Sequence, residues 1–379
     1  MERKIIFSTR WYESRVHLGV LKYAQSHRWD VISSHHMPDV ASEAPGADGQ
    51  IVEVGARDRR RLRLTREYKG PVVGLEDLGD GLDIPRVHVD NHAVSKLAAR
   101  HLLDRGFTTF ASLSRMNYEY AQDRVKGFRQ EVEQAKGCSM TEVRCNGLLS
   151  FLAAGKNGTT FQALRKLLAL PRPVGVFCVD DEDAAALIRY LDLQEIQVPE
   201  EFAIIGVNND PLICPYARTP LSSVDPDFEA IGFRAAELLD QMMHGRAVPA
   251  KTYPVPPKDV VVRRSSDIIA VEDLLVAKAI RFMWDHSESW ISIGDIAAHV
   301  EVPIRTLQWR FSKAMGRTLQ EEMTRSRIER VKEHLLNTDK SAQKIAEEMN
   351  FSSVQYMNRQ FSKETGMPPM KFRKSRQVG

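Results

Sequence analysis

A short phrase occurs twice near the end of this 379-residue chain. "RFSKAMG" fills 310–316 and "QFSKETG" fills 360–366, so their phenylalanines, Phe311 and Phe361, lie fifty residues apart. A repeated phrase with a matched aromatic anchor indicates a duplicated structural unit. It limits the C-terminal part of the chain to folds that contain two similar small cores.

Each copy closes a longer segment that has helical periodicity. The segments span 292–316 and 341–366, and each contains two amphipathic stretches separated by a short turn. Residues 318–336, between the segments, predict one long helix. Helix, short turn and helix is the helix-turn-helix pattern, whose second helix enters the DNA major groove. Two copies on one rigid helix would reach successive grooves, about 34 Å apart.

The predicted helix ends agree with this interpretation. Ser292 and Asp295 have the spacing of a capping box at the start of the first segment. Gly316 and Gly366 stand where a helix commonly ends with a positive φ. Ser352 or Ser353 is expected to cap the second helix of the second unit.

Side chains that can contact DNA occupy the second helix of each unit. Arg can read guanine, and Gln or Asn can read adenine, while Arg310 is expected to face the DNA backbone. The predicted DNA-binding residues are Arg305, Thr306, Gln308, Trp309, Arg310, Ser353, Gln355, Tyr356, Asn358 and Arg359. A solvated amphipathic helix is the alternative for either unit taken alone.

Residues 272–376 resemble the DNA-binding domain of the AraC/XylS activators. The strongest match is "NFSSVQYMNRQFSKETGMPPMKFR", which closes the second unit. The family more often has Gly at the position of Asn350 and Phe at that of Met357. Asn tolerates the left-handed conformation nearly as Gly does, so the first departure is mild. The resemblance implies an all-α domain with two helix-turn-helix motifs.

Residues 1–264 follow a different pattern, in which short β-branched runs alternate with amphipathic helical stretches. A helix is predicted at 92–106. The strand candidates are "KIIFS" (4–8), "GQIVEV" (49–54), "PVVGLE" (71–76), "TFASL" (109–113), "VGVFCV" (174–179) and "FAIIGV" (202–207). This repetition favours a doubly wound parallel sheet, in which ligands bind beyond the carboxyl ends of the strands.

Polar and aromatic residues cluster at those predicted strand ends. Carboxylates, amides and an arginine suit sugar hydroxyls, which both donate and accept, and an aromatic pair can stack on a pyranose ring. The predicted ligand-binding residues are Trp11, Tyr12, Glu53, Asp90, Arg124, Asp180, Asn208 and Asn209. For any one of them, a helix N-cap or a solvated loop is the alternative.

Four segments of this part resemble the ligand-binding domain of LacI/GalR regulators and periplasmic sugar-binding proteins. They are "DRVKGF", "VHVDN", "FCVDDEDAA" and "IIGVNND…LSSVDPDFEAIGFRAAELL", and the similarity covers 4–264. It implies a two-lobed α/β fold, dimerisation, and sugar ligands at Trp11, Tyr12, Asp90, Arg124, Asp180 and Asn208. The families usually have Asp at the position of Asn208 and Asn at that of Asp180. LacI-type repressors also begin with a helix-turn-helix, whereas this chain starts at the first strand.

The order of the two parts is similar to that of bacterial xylose operon regulators, which "VPPKDVVVRRSSD" (255–267) also resembles. The predicted domains are a sugar-binding and dimerisation domain at 1–264, a linker at 265–271 and a DNA-binding domain at 272–379. The resemblance implies a homodimeric activator of pentose catabolism whose partners are D-xylose, operator DNA and RNA polymerase. Another sugar, or repression instead of activation, remains open.

Motifs and composition disfavour other classes of protein. There is no G-x-S-x-G elbow, phosphate-binding G-x-x-x-x-G-K-S/T loop or H-E-x-x-H zinc motif, so we expect no enzyme and no cofactor. His35-His36 and "VHVDNH" (87–92) match no common metal site. With no signal-peptide pattern and no long apolar span, we expect a cytoplasmic protein without a membrane partner. A solute-binding protein is the alternative that is not a regulator.

Overall fold

The computed structural model describes residues 2–33, 46–55, 58–76, 81–115, 118–145, 148, 158–271, 273–286 and 291–376. The chain divides into two compact units. The first consists of Met1–His101 and Thr109–Asp267, and the second of Leu102–Thr108 and Ile268–Gly379. The short stretch Leu102–Thr108 therefore groups with the C-terminal residues.

Within the residues that the structure describes, the first unit contains two six-stranded sheets. The strands of one sheet are β1 (Arg3–Ser8), β2 (Trp29–Ser33), β3 (Gly49–Val52), β4 (Val72–Leu75), β5 (Arg86–Val89) and β11 (Thr252–Val255). They are all parallel, in the order β11-β5-β4-β3-β1-β2. Since β11 is far along the sequence, the chain returns to this sheet after building most of the other one.

The second sheet is parallel except at one edge. Its strands are β6 (Thr109–Ser114), β7 (Ser139–Arg144), β8 (Val174–Cys178), β9 (Phe202–Val207), β10 (Ser222–Val224) and β12 (Val260–Val261). Their order is β12-β10-β9-β8-β6-β7, with β12 antiparallel to β10. Every residue of β8 and β9 is buried, which is typical of central parallel strands covered on both faces.

Helices connect the strands of both sheets. They are α1 (Ser14–His27), α2 (Arg59–Glu67), α3 (Asn91–Asp104), α4 (Glu119–Gln134), α5 (Thr159–Leu168), α6 (Asp181–Leu193) and α7 (Phe228–Met243). The predicted α/β class with doubly wound parallel sheets is confirmed. All six strand candidates lie on observed strands, and the helix expected at 92–106 is α3.

Two glycines let α1 and α7 approach each other closely. A Cβ atom on Gly19 would lie 2.0 Å from the carbonyl oxygen of Glu229, and one on Gly232 would lie 1.8 Å from that of Val16. No side chain fits at either distance, so backbone packs directly on backbone here. This contact fixes α7 against the first helix of the chain.

In its described residues, the second unit is helical apart from its turns. Its helices are α8 (Leu274–Asp285), α9 (Ile293–His299), α10 (Ile304–Met315), α11 (Leu319–Asn337), α12 (Ala342–Glu348), α13 (Val354–Thr365) and α14 (Pro369–Arg376). Phe311 lies in a core formed by α8 to α10 and the start of α11, whereas Phe361 lies in a core formed by the rest of α11 and α12 to α14. Both rings are fully buried. The predicted all-α domain with two helix-turn-helix motifs is confirmed.

The ends of these helices follow the sequence signals. Ser292 and Asp295 form the capping box, and Ser353, not Ser352, caps α13 by accepting the N–H of Tyr356. The turns inside the two motifs place Glu301 at φ 56° and Asn350 at φ 53°, so both adopt the left-handed conformation. Gly316 and Gly366 end α10 and α13 at φ 66° and 77°.

Because the two phenylalanines anchor separate cores, truncating either should loosen one helix-turn-helix far more than the other. We expect Phe311→Ala and Phe361→Ala each to destabilise their own core by about 3–5 kcal/mol. Amide hydrogen exchange measured by mass spectrometry would locate the loss in α9–α10 or in α12–α14. Trp309→Ala is the control, since that ring is 63% exposed on the same helix as Phe311. Equal protection losses in both motifs would contradict two separate cores.

Candidate sugar and nucleic-acid sites

Glu53 follows β3 and holds the loop that follows β1. Its carboxylate accepts the backbone N–H groups of Arg10 and Trp11, each at 3.0 Å. The loop presents two aromatic rings, since Trp11 is 69% exposed and Tyr12 is 42% exposed. The hydroxyl of Tyr12 lies 3.0 Å from Nδ1 of His17. Glu53 thus holds in place the loop that carries Trp11 and Tyr12.

Arg124 is a buried cation in the second turn of α4. Its Nε donates to the Oδ1 of Asn91 at 2.8 Å, and its Nη1 donates to the carbonyl oxygen of Val179 at 2.6 Å. The guanidinium carbon lies 5.1 Å from the centre of the Tyr120 ring. Burial lowers the pKa of Arg124, while nearby acidic groups act in the opposite direction. The side chain therefore links the start of α3 to the end of β8.

Asp90 and Asp180 both cap helices at strand ends. Asp90 follows β5 and accepts the N–H of Ala93 at 2.9 Å, at the start of α3. Asp180 follows β8 and accepts the N–H of Asp183 at 2.8 Å, at the start of α6. Burial raises the pKa of Asp180, and the positive charge of Arg115 opposes that rise. Both residues therefore act as helix N-caps, the alternative role named above. Each cap uses only one of the two carboxylate oxygens.

Glu76 and Tyr120 belong with this group, although the sequence reasoning did not select them. Glu76 follows β4 with φ 62°, a conformation unusual for a residue with a side chain. Burial raises its pKa, the charges of His88 and Arg124 lower it, and that of Glu53 raises it further. Burial and the charge of Asp180 raise the pKa of Tyr120 to about 12. Both have a signal in the sequence. Glu76 ends the predicted strand "PVVGLE", and Tyr120 lies one helical turn before Arg124.

The two asparagines after β9 differ in their roles. Asn208 has φ 112°, and its carbonyl oxygen accepts Nη1 of Arg15 at 2.8 Å. The side chain of Asn209 donates to Asp225 at 3.1 Å and accepts Nη2 of Arg263 at 2.8 Å. Both ends of that carboxamide are therefore bonded within the protein, and a ligand role for Asn209 stays a prediction.

Asp181 fixes the loop that carries these asparagines. Its carboxylate accepts the hydroxyl of Ser223 at 2.7 Å, the N–H of Asp210 at 2.9 Å and the thiol of Cys214 at 3.2 Å. Burial raises the pKa of Asp181 to about 6 despite these bonds. The side chain is 1% exposed and serves the scaffold.

In the second unit, the predicted DNA-binding residues lie on α10 and at the start and along the outer side of α13. Arg305, Thr306, Gln308 and Trp309 are exposed on α10, and Gln355 and Arg359 are exposed on α13. Tyr356 and Asn358 are half-buried, and the Arg359 guanidinium lies 5.4 Å from the Tyr356 ring centre. Ser353 serves as the N-cap of α13.

Arg310 is engaged within the protein. Its Nε and Nη2 donate to the two carboxylate oxygens of Asp273 at 2.7 and 2.6 Å. The hydrogen bonds from Arg310 lower the pKa of Asp273. Arg310 could contact the DNA backbone only while its guanidinium also binds Asp273, or after that ion pair opens.

Metal-binding clusters and membrane-spanning helices are both absent from the described residues. Within those residues, no group of three or more His, Cys, Asp and Glu side chains is arranged to hold a metal ion. His35 and His36 lie outside the described residues. Among the helices that the structure describes, none is long and apolar enough to cross a membrane.

Comparison with protein families supports the two-part organisation. The periplasmic binding protein-like domain family matches residues 99–266, and a helix-turn-helix domain family matches 296–375. A xylose operon regulatory protein of Haemophilus influenzae is 28% identical, over 96% of this chain and 95% of its own. One of Escherichia coli K12 is 26% identical, over 96% of this chain and 94% of its own.

Solved structures extend the comparison to the fold. A structure described as the xylose-binding transcription activator xylR aligns with TM-score 0.58 and 24% identity, over 99% of this chain and 98% of its own. A periplasmic binding protein/LacI regulator from Alkaliphilus metalliredigens, complexed with D-xylulofuranose, aligns with TM-score 0.54 and 18% identity, over 70% and 99%. The resemblance predicted from the sequence is confirmed: a periplasmic binding protein-like domain precedes a helix-turn-helix domain of the AraC type.

Proposed function

We propose that this chain is a sugar-responsive, DNA-binding transcription regulator of xylose catabolism genes. The observation that carries the proposal is the union, in one chain, of a strand-end cluster around a buried arginine with a duplicated helix-turn-helix. Relatives named xylose operon regulatory proteins align over nearly the whole length, which supports the same division of labour. We assign sugar binding and dimerisation to 1–264, connection to 265–271 and DNA binding to 272–379.

The sugar is held by hydrogen bonds to the polar cluster and by stacking. Arg124 supplies a planar donor group, while Asp90 and Asp180 supply carboxylate oxygens not used by their caps. Trp11 and Tyr12 offer apolar faces for the ring carbons, on a loop that Glu53 holds in place. Glu76 and Tyr120 add an acceptor and a hydroxyl beside Arg124. A small polyol with many hydroxyls satisfies this mixture of donors and acceptors.

The second unit reads the operator. Its two recognition helices, α10 and α13, present Arg305, Gln308, Gln355 and Arg359 to successive major grooves. Regulation then requires a dimer, contact with RNA polymerase and access to the chromosome in the cytoplasm. No catalytic step enters this mechanism, because the ligand acts only through binding.

The sugar assignment depends on Arg124. D-xylose at a hundredfold excess over its Kd should stabilise the wild-type protein by about 2.7 kcal/mol, seen as a rise in Tm. Arg124→Lys keeps the charge but loses the planar fork, so the rise should disappear while the unliganded Tm changes less. Asp90→Asn should act similarly.

Arg129→Ala is the matched control, because Arg129 lies on the same helix and pairs with Glu142 at the edge strand β7. A full rise in Tm in both Arg124→Lys and Asp90→Asn would refute these residues as ligands. A rise with another aldopentose or an aldohexose, and none with D-xylose, would replace the sugar and keep the site.

The DNA assignment can be tested with an operator selected from random duplexes by repeated binding. Arg305→Ala and Arg359→Ala should each weaken binding by about 1–3 kcal/mol and relax the base preference at one half of the site. Fluorescence anisotropy at fixed salt on single-base variants of the operator would measure both effects. Uniform weakening on every sequence would make these residues phosphate contacts.

A further inference from the structure

Helix α3 begins in one compact unit and ends in the other. It starts at Asn91, directly after Asp90, and runs to Asp104. Its last turn belongs to the segment Leu102–Thr108, which groups with Ile268–Gly379. A helix of fourteen residues is about 20 Å long and nearly rigid.

At its start, α3 is tied to the proposed sugar ligands. Asp90 caps it, and Arg124 donates to the side chain of Asn91, its first residue. The fully buried hydroxyl of Ser95 lies 2.8 Å from the carbonyl oxygen of Asn91 and 2.7 Å from that of Arg124. A ligand that draws Asp90 or Arg124 toward itself therefore acts directly on this end of the helix.

At its other end, Asp104 joins a ring of four charges within the second unit. Its carboxylate pairs with Arg325 and lies 3.6 Å from Nη2 of Arg317. Both arginines also bind Glu322, each with an N···O distance of 2.5 Å. Glu322 has a side chain that is only 2% exposed, so water screens this ring weakly. Two carboxylates and two guanidinium groups thus alternate around a closed circuit.

The ring lies where the first recognition helix meets the connecting helix. Arg317 directly follows Gly316, which ends α10, while Glu322 and Arg325 lie in the first two turns of α11. Helix α11 carries both helix-turn-helix cores, so its first turns influence the placement of α10. Asp104 is the member of the ring contributed by α3.

The backbone reinforces this attachment. The N–H of Ala270 donates to the carbonyl oxygen of Arg105 at 2.7 Å. Gly106 has φ 86°, and a Cβ atom there would lie 2.4 Å from Cγ2 of Val271. The position therefore requires glycine on both counts. Val271 itself packs against the core of the first helix-turn-helix.

We propose that Asp104 is a positioning residue through which sugar occupancy changes DNA affinity. Sugar bound at Asp90 and Arg124 shifts the start of α3. The rigid helix transmits this shift to the charge ring at the C-terminal end of α10. A buried ring of this kind is sensitive to small displacements, since its attraction depends on close geometry. The inference rests on the proposed function and adds the residues that link its two activities.

The test measures a coupling ratio, which is the Kd for D-xylose without operator divided by that with operator, by calorimetry on the full chain. The wild-type ratio should depart from one by about 5–150-fold, the usual range for coupled sites. Asp104→Asn keeps the shape but removes the charge. It should bring the ratio to about twofold or less, while leaving each ligand's affinity in the absence of the other within about threefold.

Three variants sharpen this result. Asp104→Glu restores the charge and should recover part of the coupling, which a merely structural role would not predict. Arg325→Lys keeps a positive charge but cannot span Asp104 and Glu322 together, so it should also lower the ratio, and it decides the matter if Asp104→Asn fails to fold. Asp192→Asn makes the same chemical change at the exposed pair with Arg218 and should leave the ratio unchanged.

The outcomes separate the two proposals. Wild-type coupling that persists in Asp104→Asn, or in Arg325→Lys should the first variant not fold, overturns the role of Asp104 and leaves the proposed function intact. A wild-type ratio of one, with both ligands bound, overturns the coupling route together with control of DNA affinity by sugar. Absence of any sugar binding in the wild type refutes the proposed function itself.

Discussion

The first unit is organised around the buried guanidinium of Arg124. A cation removed from water is costly unless it finds hydrogen-bond partners, and here Nε donates to the side chain of Asn91 and Nη1 to the carbonyl oxygen of Val179. Those two residues stand at the start of α3 and the end of β8. One side chain on α4 therefore joins the helix that follows β5 of one sheet to the end of β8 in the other. The acidic groups nearby act on this charge, and under the proposed function a ligand rich in hydroxyls shares their hydrogen bonds.

The second unit contains the same helix-turn-helix fold twice, with different exposed residues on the two copies. Phe311 and Phe361 fill equivalent cores, and Gly316 and Gly366 end equivalent helices with positive φ. Caps differ, since Ser353 caps α13 while α10 begins after Pro303 without a side-chain cap. Shared core positions preserve the geometry that DNA binding needs. The exposed residues of the two helices differ, so under the proposed function each helix reads its own bases.

Sequence reasoning succeeded where burial dictates the pattern. Central strands such as β8 and β9 are apolar throughout, and they were identified together with the duplicated helices. The edge strands β2 and β7 were missed because their partly exposed faces weaken the apolar signal. The ring around Asp104 could not be predicted, since Asp104 and Arg325 are separated by 221 positions and no periodicity relates them. Glu76 was within reach of the strand-end argument but was assigned to the strand itself.

The two recognition helices carry different exposed residues, so the protein binds DNA in one orientation. Trp309 on α10 occupies the place that Arg359 occupies on α13, and Arg305 corresponds to Gln355. A tandem reader with unlike halves matches a DNA site that is not its own mirror image. One chain bound to such a site has a defined upstream end and a defined downstream end. The direction of the DNA site therefore sets the orientation of the bound regulator on a promoter. Inverting the site would reverse the regulator relative to the gene.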